Sequence, residues 1–292
     1  MKTCIDCIPC FFRQALEAAR LASNDEGVAA EVLRKVASMV TDLDMSQSPP
    51  AMGQKIHRIV RETVGIDDPY RQIKKTFNEA ALRLYPEMRR LIGTSERPLE
   101  TAVRLAIAGN IIDFGVNGGV RESDVERAIG ECLAAELGAD VLSRFEAAVR
   151  DADEILYLAD NAGEIVFDRL LIEVLPVDKV MVAVKGSAII NDATMEDAVV
   201  AGLPRIVEVI DNGDDAPGTL AEGCSEEFRE RFGRADLIIA KGQGNFETLS
   251  EAEKHIFFIL RAKCPVVAKR FGCAPGTSIL LEHGAIRDKT EN

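Results

Sequence analysis

The second half of the chain alternates short, almost wholly apolar runs with helical runs, and this alternation constrains the fold more than any other feature. Six stretches have this strand-like character: residues 154–159, 179–184, 206–210, 237–240, 256–260 and 266–268. Strands that are apolar throughout are buried on both faces, and helices between them are typical of parallel connections. We therefore predict an α/β fold, with a parallel sheet inside an α/β/α sandwich.

The first half of the chain has helical periodicity instead. Apolar residues recur at three- and four-residue spacing in six stretches: residues 11–21, 29–40, 56–64, 70–92, 99–114 and 123–148. Pro86 predicts a break or kink, and residues 48–50 and 116–119 predict turns. We predict an all-helical N-terminal part at residues 1–150. A Rossmann-like α/β domain that binds metal and phosphate would follow at residues 151–292.

Composition narrows the classes of partner. The 292 residues carry a formal net charge of −13 and contain no Trp. A field of that sign repels nucleic acid and anionic membranes, so we expect neither as a partner. No run approaches the ~20 apolar residues of a membrane-spanning helix, and no apolar run of signal-peptide length follows Met1. We expect a cytoplasmic protein with a small-molecule partner, and no pattern fixes its oligomeric state.

Polar residues follow each of the first four predicted strands. The segments are DNAGE at 160–164, KGS at 185–187 with NDAT at 191–194, DNGDD at 211–215 and KGQGN at 241–245. In an open parallel sheet, ligands bind beyond these strand ends. Asp and Asn oxygens suit a hard divalent cation, and Lys185 and Lys241 could neutralise an anion. Turns and helix caps use the same residues, but four such segments in succession favour a site.

Known phosphate-binding and dinucleotide-binding motifs are absent. The sequence contains no GxxxxGK[ST], and Asp160-Asn161-Ala162-Gly163 stands where a GxGxxG would follow the first strand. The three histidines lie far apart in the sequence, so a hard-metal site would be built from carboxylates and amides. The parts together indicate phosphate chemistry assisted by a divalent metal.

Five motifs, in this order and spacing, resemble those of the DUF89 family. They are CIDCIPC at 4–10, AGNIIDF at 108–114, LADNAGE at 158–164, NDAT at 191–194 and KGQGN at 241–245. This family comprises metal-dependent damage-control phosphatases related to the ARMT1-like domain. The resemblance covers nearly the whole chain, and the cysteine motif is similar to that of the CxxC-bearing subfamily I. It implies an α/β/α sandwich with an extra helical part.

The resemblance implies a metal site. By motif, Asp160, Asn161 and Asp192 would hold a divalent cation, with Mn²⁺ the first candidate and Ni²⁺, Co²⁺ or Mg²⁺ the alternatives. Asp160 and Lys241 are the catalytic candidates. Asp160 would act as nucleophile or only as metal ligand, and Lys241 would balance the charge of the substrate phosphate.

The resemblance also implies substrate contacts. Asn245 would face the phosphate, and Glu164 belongs to the first strand-end motif. Lys263 lies where another subfamily carries an Arg-Thr-x-Lys motif, although the Thr is absent here. Asn110 and Asp113 either edge the pocket and contact substrate or metal-bound water, or serve as a satisfied core amide and a helix cap.

Cys4, Cys7 and Cys10 are spaced by three residues. With a fourth cysteine from elsewhere in the chain they could bind zinc or an iron–sulfur cluster. The alternatives are a buried reduced pair and a Cys4–Cys7 disulfide.

These observations predict a phosphatase that hydrolyses small phosphorylated metabolites, such as sugar phosphates or damaged phosphometabolites. Two alternatives stay open. One is a sugar-phosphate- or nucleotide-dependent transferase that uses the same strand ends for binding without hydrolysis. The other is a non-catalytic protein that binds a metal or cluster through its N-terminal cysteines.

Overall fold

The computed structural model describes residues 1–109 and 122–284 of the chain. Seven helices of its first half share the predicted amphipathic pattern: α1 (Cys7–Ala22), α2 (Glu26–Thr41), α3 (Pro49–Val64), α4 (Arg71–Gly93), α5 (Pro98–Gly109), α6 (Glu122–Ala134) and α7 (Ala139–Asp151). The predicted helical character of the first half is thereby confirmed for residues 1–109 and 122–151. None of the helices in the described ranges is long and apolar enough to cross a membrane.

Strands and helices alternate after residue 151. The elements are β1 (Ile155–Leu158), α8 (Glu164–Ile172), β2 (Val180–Val184), α9 (Met195–Ala201), β3 (Glu208–Asp211), α10 (Glu226–Arg234), β4 (Leu237–Lys241), α11 (Gly242–Leu249), β5 (Ile256–Arg261), α12 (Pro265–Phe271) and β6 (Ser278–Glu282). The six strands form one sheet in the order β3-β2-β1-β4-β5-β6. The first five strands are parallel, and β6 pairs antiparallel with β5. The predicted α/β fold is confirmed, with an antiparallel edge strand added.

The strand predicted at residues 266–268 is wrong, because these residues lie in α12. Pro265 occupies the first turn of this helix, where its missing N–H costs nothing, and the Cys264 thiol accepts the backbone N–H of Val267. Gly272 ends the helix with φ 65°. Capping therefore overrides the β propensity of two adjacent valines, and the sixth strand lies ten residues further on.

Prolines begin or continue helices where the sequence predicts interruptions. Pro49 and Pro50 form the first turn of α3 instead of a turn between helices. Pro86 lies inside α4, which continues through it. Pro86 is exposed, so its ring lies on the solvent side of the helix.

Hydrophobic residues cover both faces of the sheet. Alternate residues of β1 divide between two cores, with Tyr157 in one and Leu156 in the other. The first core also contains Ala106 of α5 and Phe145 of α7, so helices of the first half pack directly on the sheet. The division at residue 150 remains a prediction. Helices α1 to α3 have a separate core of their own.

Helix α3 is fixed to the loop that follows β3. Gln54 donates 2.7 Å hydrogen bonds to Asp214 and Asp215, and the Arg58 and Arg61 guanidinium groups also bind Asp215. Burial raises the pKa of Asp215, but these hydrogen bonds outweigh burial and lower it to about 2. This ion-paired contact holds the small bundle α1–α3 over the carboxyl edge of the sheet.

Candidate active site

A cavity of about 860 Å³ lies between the carboxyl edge of the sheet and the bundle α1–α3. From the sheet side it is lined by Asp160, Asn161, Asp192, Gln243 and Lys263, among others. The N-terminal segment, α1 and α3 form the opposite wall. The structure therefore brings the three predicted metal ligands to one cavity at the edge where the sequence predicted a site.

Two backbone hydrogen bonds join the loops that carry these residues. The Ala162 N–H donates to the Asn191 carbonyl at 2.8 Å, and the Ala193 N–H donates to the Asp160 carbonyl at 2.7 Å. Asn161 and Asp192 thereby form an isolated antiparallel bridge. Residues more than 30 positions apart in the chain are fixed side by side, and their side chains share one environment.

The two aspartates of this bridge region are buried. Burial, with the nearby Glu164 and Asp192 carboxylates, raises the pKa of Asp160 well above its ordinary value. Burial raises the pKa of Asp192 to about 6, although the Lys185 ammonium lies 3.6 Å away and opposes the shift. Both carboxylates are therefore desolvated, and Lys185 compensates the burial of Asp192 only in part.

Asn161 links the two acidic residues on either side of it. Its amide nitrogen donates to Asp160 at 2.6 Å and to Glu164 at 2.9 Å. Both amide hydrogens are therefore used, and the carbonyl oxygen is the atom left to bind a cation. The role of Asn161 as an uncharged metal ligand stays a prediction.

The residues present fit a divalent cation. The Asp192 Oδ2 atom is buried and accepts no hydrogen bond among the described residues, and its nearest cation is the Lys185 ammonium at 3.6 Å. Two carboxylates and one amide oxygen form a donor set that suits Mn²⁺ or Mg²⁺. Within residues 1–109 and 122–284, no three His, Cys, Asp or Glu side chains converge on a metal position. The amide of Asn161 is thus needed to complete the set.

Lys241 lies behind the cavity instead of at its surface. Its side chain is fully buried, and the ammonium donates to Glu164 at 2.7 Å, to the Ala106 carbonyl at 3.1 Å and to Asp168. These three acceptors use all three of its hydrogens. The structure therefore does not place Lys241 against a substrate phosphate, as the motif implied, because two buried carboxylates hold it below the strand end.

Glu164 belongs to the same buried network. It is 2% exposed and does not line the cavity. Burial raises its pKa, but the Lys241 ammonium, Lys263 and the Asn161 amide outweigh burial and lower the pKa below the ordinary value. The carboxylate stays ionised and orients Asn161, so Glu164 lies behind the candidate metal ligands and outside the cavity lining.

Asn245 is also part of the scaffold. Its amide nitrogen donates to the Lys241 and Ala159 carbonyls at 2.8 and 3.3 Å, and its oxygen accepts from the Thr219 hydroxyl at 2.8 Å. It is 1% exposed and does not line the cavity. Asn245 ties α11 to the end of β1, and its contact with the substrate phosphate stays a prediction.

Lys263 is the predicted substrate residue that the structure does place at the cavity. Its side chain is exposed there, and its charge lowers the pKa values of Asp160, Glu164 and Asp192. Its ammonium has no hydrogen bond or ion pair among the described residues. A cation that faces the acidic wall without a protein partner suits the binding of an anion.

The structure adds two residues to which the motif reasoning assigned no role. Glu247 lines the cavity at 7% exposure, and Gln243 donates to it at 2.8 Å. The Gln243 oxygen also accepts the Lys263 backbone N–H at 3.0 Å, so Gln243 links Glu247 to the loop of Lys263. Reading the fourth strand-end motif two residues further, as KGQGNFE, would have included Glu247.

The two predicted substrate residues Asn110 and Asp113 lie outside the residues that the structure describes.

The three N-terminal cysteines line the same cavity, as does Cys264. The Cys4 and Cys7 sulfur atoms are 3.5 Å apart, and both are free thiols. Cys10 instead accepts from Arg13 and Gln14. The structure thus brings the Cys4 and Cys7 thiols into contact, whereas the contacts recorded for the Cys10 sulfur are with Arg13 and Gln14.

The fold and cavity define an α/β protein that binds its ligand at the carboxyl edge of a mostly parallel sheet. Residues 3–279 match the damage-control phosphatase ARMT1-like domain, and the chain belongs to this family. The resemblance to the DUF89 family is thereby confirmed.

Two relatives cover almost the whole chain. An uncharacterized protein of Methanocaldococcus jannaschii is 39% identical over 289 residues, which are 95% of this chain and 94% of that protein. A damage-control phosphatase of Pyrococcus horikoshii is 35% identical over 288 residues, which are 97% and 99% of the two chains. The crystal structure of a DUF89 family protein from Pyrococcus horikoshii superposes with a TM-score of 0.88 at 35% identity, covering 97% of this chain and 99% of that one.

Proposed function

We propose that the protein is a metal-dependent phosphatase that hydrolyses small phosphoric monoesters in metabolite damage control. The family supplies the reaction class, since related proteins are named damage-control phosphatases. The observation that supports the metal dependence is the fixed grouping of Asp160, Asn161 and Asp192 at one wall of the cavity, where the buried Asp192 Oδ2 atom accepts no hydrogen bond among the described residues. The reaction acts on a phosphate ester, whose charge Lys263 would complement.

Asp160, Asn161 and Asp192 would hold the divalent cation, which when bound would neutralise phosphate charge. Asp160 has a defined orientation, because the Asn161 amide donates to it and the Gly242 backbone lies against its carboxylate. That carboxylate would act either as a ligand or as the nucleophile. Lys263 would bind a phosphate oxygen and so place the ester against the acidic wall.

The cavity favours small polar esters over nucleotides. Its volume of about 860 Å³ accommodates a phosphorylated sugar. Phe11 is the one aromatic residue among the described residues that line it, so it offers little surface on which a base could stack. This observation ranks hydrolysis of sugar phosphates above the nucleotide-dependent transferase alternative.

The proposal is tested by phosphate release. Purified protein is incubated with p-nitrophenyl phosphate and a panel of sugar phosphates, with Mn²⁺, Ni²⁺, Co²⁺ or Mg²⁺ added singly. Turnover should require one of these metals and stop on chelation. Asp192→Asn should weaken metal binding at least about tenfold, because it removes a charged ligand. Asp153→Asn, at a side chain that is 93% exposed, is the matched control.

Two results would contradict the proposal. Turnover that persists in the chelator would remove the metal from the reaction. Metal-dependent ester binding without phosphate release would favour the transferase or the binding protein.

A further inference from the structure

We propose that Cys4 and Cys7 form a reversible dithiol–disulfide site, and that closing the disulfide impairs the catalytic cavity. The functional part of this inference rests on the proposed phosphatase activity. Its chemical part, the disulfide itself, is independent of that activity. The co-reactant is a small-molecule disulfide of the oxidised-glutathione type.

The two thiols are already in reach of each other. Their sulfur atoms lie 3.5 Å apart, and the Cys7 N–H donates to the Cys4 carbonyl at 3.0 Å. A turn closed in this way keeps the two α-carbons within about 7 Å, which overlaps the range that a disulfide spans. Bond formation would bring the sulfur atoms to about 2 Å, so each has only a short distance to move.

The residues that would move when the disulfide forms belong to the wall of the cavity. Thr3 is fixed upstream, since its N–H and hydroxyl both donate to the Gln47 carbonyl, at 2.9 and 2.8 Å. Helix α1 is fixed downstream by Phe11, which is 3% exposed in the core of α1–α3. The backbone shift that accompanies disulfide formation must therefore occur between Thr3 and Phe11. In that segment, Cys4, Asp6 and Cys7 line the cavity.

The surroundings set the order of reaction. Burial raises the pKa of the Cys7 thiol to about 12, and the Glu247 carboxylate acts in the same direction. The Cys7 sulfur therefore stays protonated, and Cys4 is the residue that reacts first with the small disulfide.

The exchange proceeds in two balanced steps. The Cys4 thiol loses its proton to solvent, and its sulfur attacks the small disulfide, which breaks and releases one small thiol. The Cys7 sulfur then loses its proton and attacks the Cys4 sulfur, which releases the second small thiol. The two protein thiols are oxidised, the small disulfide is reduced, and the two protons end on the two small thiols.

A dithiol explains the motif better than a metal or cluster site does. Among the described residues, no third Cys, His, Asp or Glu joins Cys4 and Cys7 at a metal position. Cys10 forms its contacts with Arg13 and Gln14 instead. A pair of thiols without further ligands is suited to exchange.

The test uses the full chain with Mn²⁺. The reduced protein is treated with oxidised glutathione, the disulfide is mapped by peptide mass spectrometry, and kcat/KM for a turned-over ester is measured before and after. We expect a Cys4–Cys7 disulfide and a fall of at least about tenfold in kcat/KM, since misplacement of a site wall by about 1 Å costs up to a hundredfold. Dithiothreitol should restore the activity.

Three variants sharpen the test. Cys7→Ser should trap a glutathione adduct on Cys4, and Cys4→Ser should lose the response to oxidant. Cys273→Ser, at a free thiol outside the cavity lining, should keep the full response. A response that survives in Cys4→Ser would overturn the proposal, as would quantitative disulfide formation without any change in kcat/KM.

A second readout separates this inference from the proposed function. The alkylation rate of Cys264, which lines the same cavity, should change when the Cys4–Cys7 disulfide forms. If the reduced protein hydrolyses no ester, the proposed function fails, and mapping of the Cys4–Cys7 disulfide by peptide mass spectrometry still decides the redox site. If no Cys4–Cys7 disulfide forms under oxidant, the redox site fails whatever the protein hydrolyses.

Discussion

Gly242 leaves the space that the carboxylate of Asp160 occupies. A β-carbon built on Gly242 would overlap the Asp160 carboxyl group, and Gly242 has φ +79°, a conformation that only glycine adopts readily. Gly242 begins α11 directly after β4. Position 242 therefore requires glycine for two separate reasons, and both concern the backbone next to the candidate metal ligand.

Gly242→Ala should displace Asp160 and lower kcat/KM at least about a hundredfold. Strain at positive φ should also reduce the free energy of unfolding by about 1–3 kcal/mol. Phosphate release and chemical denaturation measure the two effects. Gly233→Ala is the matched control, because an added β-carbon there meets nothing within 4 Å. Full activity of Gly242→Ala would show that the position of Asp160 is not critical.

Lys241 should act through stability. Lys241→Met removes the cation between Glu164 and Asp168 and leaves two buried carboxylates without compensation, so the free energy of unfolding should fall by about 3–5 kcal/mol. Thermal and urea denaturation measure the loss. Lys75→Met, at a lysine whose side chain is 67% exposed, should change stability little.

A second variant tests the same assignment. Adding Asp168→Asn to Lys241→Met removes one of the two uncompensated charges and should recover part of the lost stability. If Lys241→Met instead kept its stability and lost turnover, Lys241 would contact substrate as its motif implied.

The periodic features of the sequence were sufficient to predict the fold. Buried parallel strands are apolar at every position, so β1, β2, β4 and β5 were located within one or two residues. The edge strand β6 was missed, because half-buried residues such as Ser278 and Glu282 break the apolar pattern. Residues 266–268 were wrongly predicted as a strand, since their valines carry a β preference that Pro265 and the Cys264 cap override.

The site was predictable at the level of motifs but not of side-chain direction. Parallel strands end at one edge, so Asp160 and Asp192 could be placed near each other. Whether a strand-end side chain enters the cavity or turns back under the sheet depends on partners from distant elements. Lys241 turns back because Ala106 and Asp168, on two different helices, accept its hydrogens. No spacing in the sequence reveals those partners.

Lys263 should contribute mainly to substrate binding. Lys263→Ala removes a cation from the cavity and should raise KM for a phosphate ester about tenfold, with a smaller effect on kcat. Steady-state kinetics at saturating Mn²⁺ measure both constants. Lys75→Ala, on the exposed face of α4, is the control. An unchanged KM would mean that the phosphate binds elsewhere in the cavity.

Glu247 should make stability depend on pH. Burial raises its pKa from 4.5 to about 7, although Gln243 and the Met1 amino group oppose the shift. Between these two pH values the unfolded chain releases the Glu247 proton while the folded chain keeps it. The contribution of Glu247 is therefore fully present below about pH 4.5 and is lost as pH rises to about 7 and above.

The loss should amount to about 3 kcal/mol between pH 4.5 and pH 8. Glu247→Gln cannot ionise, so its free energy of unfolding should rise relative to that of the wild type by this amount over the same interval. Urea denaturation of both proteins at several pH values measures the difference. Glu251→Gln, at a side chain that is 67% exposed, should follow the wild type throughout. Parallel pH curves for Glu247→Gln and the wild type would show that the carboxyl of Glu247 is ionised in the folded cavity at neutral pH.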